Sequence, residues 1–433
     1  MAIANTGKAV SAGSTASRTN YGAMAMVTTL FFMWGFLTAL NDIIIPHLKA
    51  IFDLNFAQVL LVQFTFFSGY VVFAFPAGKL VERIGYQKTM VTGLLIMALG
   101  AFLFVPAASA PSFPFFLTAL IILAAGITAL QVSANPYVSV LGPPQTASSR
   151  LNLAQAFNSL GTTIAPNFGS LLILSAAPMA ISEIHKLAPD ALHAYRLHEA
   201  ATVKIPYIGL GLTLVALAIV IALFRLPKIA GEEHVSAEDL RKAGSVWKRK
   251  HLVLGALGIF LYVGAEVAIG SFLVNYFVLP DIGAMTVKAA GFYLSLYWMC
   301  AMIGRFVGSA VLQKLPTGPL LGAVAIAACG LVAASMLSHG WMAVWTIILV
   351  GLFNSIMFPS IFTLGIAELG PLTGEGSGIL VAAIVGGAII PELEGLLADS
   401  IGIHYAFILP ALCYIYIAFY GFRGSKPVTA IAA

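Results

Sequence analysis

Two carboxylates and a scatter of amides stand where the surrounding sequence is oily. Asn41 and Asp42 interrupt the run FFMWGFLTALNDIIIPHLKAIF (31–52), and Glu266 lies inside LYVGAEVAIGSFLVNYF (261–277). An acid near the centre of a membrane helix costs about 2.5–3.5 kcal/mol on insertion scales, so its presence points to function. A desolvated carboxyl can gain and lose a proton near neutral pH. Asp42 therefore reads as a proton carrier; the plain alternative is a wetted Asp near the outer end of its run. Glu266 reads as a second proton site or a hydroxyl acceptor, or else as the structural partner of a donor on another helix. Glu392 and Glu394 flank Leu393 just after Pro391. At i, i+2 they point about 200° apart, so at most one faces the interior.

The amides form a second set. Gln131 and Asn135 sit i, i+4 on one helix face, as do Ser271 and Asn275, the latter pair on a different face from Glu266. Asn152, Gln155, Ser159 and Thr162 make a stripe at helical spacing, with Asn158 beside it. Amides both donate and accept, which suits sugar hydroxyls; the same groups also serve as glue between helices. Trp34, Tyr276, Phe292, Tyr293, Tyr297 and Trp298 offer ring faces for stacking, though aromatics in such runs usually pack or anchor. The substrate-binding set is Asn41, Gln131, Asn135, Gln155, Asn158, Asn275, Tyr293 and Asn354; the proton-coupling set is Asp42 and Glu266.

Long helices must position these groups. The chain has 433 residues, 60% hydrophobic and 9% charged, with a mean hydropathy of +0.96. That composition excludes an ordinary soluble protein and implies a polytopic membrane protein. Twelve apolar runs are long enough to cross a bilayer: 21–45, 57–79, 89–109, 113–140, 151–175, 204–225, 251–279, 287–312, 318–337, 341–366, 376–398 and 405–422. Of the 22 Lys and Arg, sixteen fall in segments that are inside if both termini are cytoplasmic, five fall outside, and Arg305 lies within a run. The positive-inside rule then orients the chain. The expected organisation is a cytoplasmic tail 1–20, a six-helix bundle 21–225, a central cytoplasmic loop 226–250, a second bundle 251–422 and a cytoplasmic tail 423–433. Residues 176–203 read as a long outer loop. No secretory signal precedes the first apolar run. Cys300, Cys329 and Cys413 offer neither a disulfide framework nor metal spacing. The net charge of +5 is a matter of loop placement, not a nucleic-acid footprint. No enzyme motif, metal site or cofactor site is visible.

The two halves carry a weak repeat. GTTIAPNFGSLL (161–172) aligns with GGAIIPELEGLL (386–397) at an offset of 225. Pro136, Leu141 and Gly142 match Pro359, Leu364 and Gly365 at 223, and Gly78 and Val81 match Gly304 and Val307 at 226. At the 223 offset Gln131 falls on Asn354. Parallel halves of this kind place a transported substrate between them at mid-membrane.

The loop after the second run, GKLVERIGYQK (78–88), resembles the major facilitator superfamily signature Gly-x-Leu-x-Asp-Arg-x-Gly-x-Lys/Arg-Lys. Gly78, Leu80, Arg83, Gly85 and Lys88 match; Glu82 stands for Asp, and Gln87 for the first basic residue. Such a charged cluster can latch the halves in one state, and Arg305 joins this expected latch. LNDIIIPHLK (40–49) and ANPYVSVLGPPQTASSRLNLAQAFNSLGT (134–162) are similar to the fucose–galactose–glucose proton symporter family within that superfamily, a likeness that runs through AEVAIGSFLVNYF (265–277) to cover essentially the whole chain.

The resemblance implies twelve helices in two pseudo-symmetric six-helix bundles, alternating access and proton-coupled sugar uptake. It places the family's proton-carrying aspartate on Asp42. The fucose branch has a glutamate where this chain has Gln131, and an amide cannot titrate. Either Asp42 carries the proton alone or Glu266 takes part of the role. The expected protein is therefore a monomeric, multi-pass symporter of a bacterial inner membrane, importing glucose or galactose with a proton. Fucose or N-acetylglucosamine transport is the alternative within the family. A sodium-coupled or facilitative carrier and a drug or metabolite exporter are the alternatives beyond it.

Overall fold

The computed structural model describes residues 19–52, 56–109, 112–172, 181–184, 186–202, 204–227 and 243–427. Side chains at 40–60, 63, 167–172 and at some positions between 181 and 202 fall outside that description. Twelve long helical segments cross the described chain. They are α1 Tyr21–Phe52, α2 Phe56–Ile84, α3 Tyr86–Ser109, α4 Phe113–Val140, α5 Ala147–Leu172, α6 Lys204–Leu223, α7 Lys250–Val278, α8 Val287–Val311, α9 Thr317–Leu337, α10 Gly340–Gly365, α11 Gly370–Ile401 and α12 Ile403–Gly424. Helix is what such apolar runs require, since hydrocarbon offers no partner for a free backbone N–H or C=O.

Packing follows the internal repeat. In the first half α1 lies along α5, α2 along α4, and α3 against α4 and α6. In the second half α7 lies along α11, α8 along α10, and α9 against α10 and α12. Adding six to each helix number in the first set yields the second set. The halves meet in two seams, α2 on α11 and α5 on α8, which the same operation exchanges. The duplication seen in a few sequence matches is thus the rule of assembly for the bundle.

Four segments depart from the expected outline. α1 continues to Phe52 instead of ending near 45. The polar stretch read as an outer loop holds two helices, Ile181–Ile184 and Pro189–Thr202. Two long helices are interrupted: α10 breaks after Asn354 and resumes at Met357, and α11 narrows to a tight turn at Ala383–Val385. Irregular backbone at membrane depth is tolerated where it is buried in protein, and Asn354 and Ser355 are buried. Most of the central loop, 228–242, lies outside the described residues.

At one end of the bundle, here termed the basic end, α4 stops against Arg150 of α5. The guanidinium is 5% exposed and has five acceptors. It donates to the carbonyls of Val138 at 3.2 Å, Ser139 at 2.5 Å, Gly142 at 3.2 Å and Pro143 at 3.0 Å, and to Thr146 Oγ1 at 2.7 Å. A cation at a helix C-terminus satisfies the free carbonyls and faces the negative end of the dipole. Arg150 is therefore a helix stop.

The loop signature is also built from the backbone upward. Gly85 turns the chain from α2 into α3 with φ of 81°, a conformation that favours glycine. Gln87, which replaces the signature's first basic residue, donates to Ile221 O at 2.7 Å and Phe224 O at 2.8 Å and so caps α6. A neutral amide does this without needing a counter-charge.

Candidate functional site

The polar residues of the interior fall into a symmetric pair, a node between the halves and a seam at the basic end. Gln131 of α4 donates to the Tyr70 hydroxyl of α2 at 3.0 Å. Asn354 of α10 donates to the Tyr297 hydroxyl of α8 at 3.0 Å. These are the same bond in the two halves, at offsets of 223 and 227. In each case a buried amide is held by a buried tyrosine on the helix next to it. Asn135, one turn from Gln131, is fully buried, and among the described residues neither amide atom is hydrogen-bonded. Buried polar atoms are normally satisfied, so such a group is poised for a partner.

The node centres on Arg305 of α8. Its Nη2 lies 3.4 Å from Glu266 Oε1 of α7, with side chains 17% and 13% exposed. Its Nη1 also donates to Ser159 Oγ of α5, in the other half. The Arg305 carbonyl accepts from Asn152 Nδ2 of α5 at 2.7 Å. One residue thus holds an acid in its own half and a hydroxyl and an amide in the other. Arg305 turns inward to Glu266 and does not join Arg83 and Lys88, exposed in the last turn of α2 and the first turn of α3. Glu266 is thus paired with a cation from the neighbouring helix.

The seams carry the rest of the polar surface between halves. Ser149 Oγ donates to Ser309 O at 2.7 Å, and Ser309 Oγ returns a bond to Ser149 O at 3.1 Å. Ser148 Oγ lies 2.5 Å from Thr363 Oγ1 and accepts from Thr317 Oγ1 at 3.0 Å. Along α2 and α11 the backbones approach closely. A Cβ on Gly78 would sit 2.8 Å from Gly374 O, and one on Gly378 would sit 2.8 Å from Ala74 O. Glu82 of the loop signature packs on Gly374, beside the N-terminus of Thr373–Ala382, where a helix favours an anion. The signature's Gly78 and Glu82 therefore belong to the seam itself.

Gly78→Val is expected to wedge this seam. Overpacking costs about 1–3 kcal/mol, here levied on the closed seam alone, which lowers its population about fivefold or more. Spin labels at Arg83 and Thr373 should move apart and any transport rate should fall accordingly. An unchanged distance distribution would refute the close-approach reading.

The remaining expected residues are placed as follows. Asn158 donates to Phe31 O at 3.0 Å and packs at Gly35, tying α5 to α1. Gln155 is buried on the α5 stripe. Asn275 and Ser271 are exposed on one face of α7. The Tyr293 ring packs 5.5 Å from Trp341 and 6.0 Å from Trp345, two exposed tryptophans at the start of α10. That is the aromatic belt role of a membrane boundary. Asn41 and Asp42 lie on α1, but their side chains fall outside the described residues. Tyr70 and the buried Glu394 were not in the expected site. Tyr70 has no polar neighbour in sequence to mark it; only the offset to Tyr297 could have.

Two like bundles, seamed by α2–α11 and α5–α8 around buried polar groups, are the architecture of a multi-pass secondary transporter. The chain belongs to the major facilitator superfamily, whose sequence pattern matches residues 25–387. It is 50% identical over 413 residues to the "Glucose/galactose transporter" of Brucella abortus, covering 95% of this chain and 96% of that protein. It is 36% identical over 427 residues to the "L-fucose-proton symporter" of Escherichia coli, covering 98% and 97%. A crystal structure of the transporter FucP in the outward conformation superposes with a TM-score of 0.86 at 36% identity, covering 94% of this chain and 99% of that one.

Proposed function

We propose that this protein is a proton-coupled hexose symporter that imports glucose or galactose by alternating access. One observation carries the reading: a relative 50% identical along 95% of the chain is a glucose/galactose transporter. The interior chemistry agrees with it. Gln131 and Asn354, one in each half, present amides at repeat-related positions, and Asn135 adds unsatisfied donors and an acceptor. Sugar hydroxyls need that mixture, whereas an exporter of apolar cations would favour aromatic and acidic walls. The likeness to proton symporters supports the proton as the coupled ion.

We further place the protein in the bacterial inner membrane as a monomer with both termini cytoplasmic. The excess of Lys and Arg at the basic end supports this orientation. With the α2–α11 and α5–α8 seams on the cytoplasmic side, the halves are closed against each other there. Asp42 takes up a proton from outside, the sugar binds between the halves, and the seams open as the halves rock. Coupling arises because the loaded and empty forms differ in the relative stability of the two states.

Counted uptake into proteoliposomes tests the reading. An inward proton gradient should drive accumulation of glucose or galactose, and either should compete with the other better than fucose, mannose or N-acetylglucosamine does. Accumulation driven equally by a sodium gradient, or downhill movement alone, would overturn proton coupling. Preference for fucose or N-acetylglucosamine would overturn the hexose assignment.

A further inference from the structure

Glu394 stands on α11 seven residues before its end at Ile401, which is about 10 Å into the helix. Its side chain is 0% exposed, whereas Glu392, two residues earlier, is exposed. Both of its carboxyl oxygens are buried without a hydrogen-bond partner among the described residues. Among the described residues no Lys, Arg or His forms an ion pair with it; Arg305 is engaged with Glu266. An ionised carboxylate in such a place is costly by several kcal/mol, and the neutral acid far less so. For packing alone, Leu or Met would serve better. What an acid adds is the capacity to hold and release a proton. At the repeat offset of 225 Glu394 falls on Gly169, so the acid is not part of the scaffold shared by the halves.

Its surroundings connect it to the node. Cys413 of α12 and Tyr297 of α8 lie within electrostatic reach of Glu394. Tyr297 accepts from Asn354 of α10 and lies within the same reach of Glu266 and Arg305. Tyr414 of α12 lies beside Asn354, and Tyr262 of α7 precedes Glu266 by one turn. The other acids of α11 near it, Glu392 and Asp399, are exposed. Tyr297 thus lies within electrostatic reach both of Glu394 and of the ion pair that touches Ser159 of the other half.

We propose that Glu394 is a proton-binding site of the transport cycle, sharing the neighbouring Tyr297 with the Glu266–Arg305 pair. One proton from water bonds to a Glu394 oxygen and converts the carboxylate to the neutral acid, the form that this burial accommodates. When the surroundings change between states, the same bond breaks and the proton returns to water. The inference rests on the proton-coupled reading above, and it moves the second acid from Glu266, which is paired with Arg305, to α11.

The test uses the full chain in proteoliposomes, with uptake and sugar-induced proton movement recorded across pH. Glu394→Gln should flatten the pH dependence and lower proton-driven accumulation about tenfold, a coupling of ordinary size. Glu394→Asp should keep a pH dependence with a displaced midpoint, and Glu392→Gln should match wild type. Normal wild-type coupling together with an unchanged pH profile in Glu394→Gln would overturn this inference alone. Wild-type uptake without proton movement would overturn the proton-coupled reading and this inference with it. If Glu394→Gln does not fold, infrared difference spectra of wild type and Glu394→Asp between high and low pH decide. The carbonyl band of a neutral acid must differ between the two proteins, and identical spectra would overturn the assignment.

Discussion

Replacing Arg305 with alanine is expected to destabilise the protein by about 3–5 kcal/mol and to abolish coupled uptake. The reason is the asymmetry of buried ion pairs. The pair itself contributes little net stability, but removing one partner leaves the other charge without compensation. Glu266, 13% exposed and 3.4 Å from Arg305, would be that stranded charge. The loss reaches further than one bond, because the same guanidinium holds Ser159 across the interface between halves. Glu266→Gln should be damaging for the converse reason. The double variant Glu266→Gln/Arg305→Met should recover most of the stability, since no charge is left unpaired, yet regain none of the coupling. Thermal unfolding and uptake of the three variants check this. Single effects that simply add in the double variant would mean that the two side chains do not act as a unit.

Asp42→Asn is expected to reduce the proton-driven accumulation ratio of sugar to about one, the value for a carrier that no longer links the two gradients. Asparagine keeps the size and a polar face but cannot exchange a proton. Exchange of labelled for unlabelled sugar should persist at a reduced rate, because it requires rocking of the loaded carrier and no net proton movement. Uphill uptake retained by the asparagine variant would transfer the carrier role elsewhere, with Glu394 the next residue to test. Glu266 is a weaker second choice than its isolated position in the sequence suggested, since it is already matched to a cation.

Much of this arrangement was legible in the residues. GKLVERIGYQK read as the loop after the second run, and Gly85 turns the chain there with a positive φ. The three aligned segments implied two like halves, and the helix pairings repeat with the halves. The offset that set Gln131 against Asn354 also led to the pair of amide–tyrosine bonds. Less legible was the partner of each polar side chain. Asn158 and Asn135 look alike on paper, but the first donates to the Phe31 carbonyl and the second has no partner among the described residues. Glu392 and Glu394 are two residues apart, and only the second is buried. Arg305 was grouped with the loop cluster by its charge, yet it lies within reach of Glu266 and Ser159.

The sequence by itself determined that the chain spans a membrane repeatedly, that it is duplicated, and which side of each helix carries its polar groups relative to one another. Those properties depend on local composition and on the 100° step of the helix, both readable along a single chain. Only the tertiary structure decided what those sides face. A membrane helix is apolar nearly all round, so its hydropathy does not mark the face that meets protein. That choice is made by long-range packing, where small residues such as Gly78 and Gly378 let backbones close and a few buried groups such as Arg305 find partners. It is why two glutamates in one short stretch, PELE, have opposite fates.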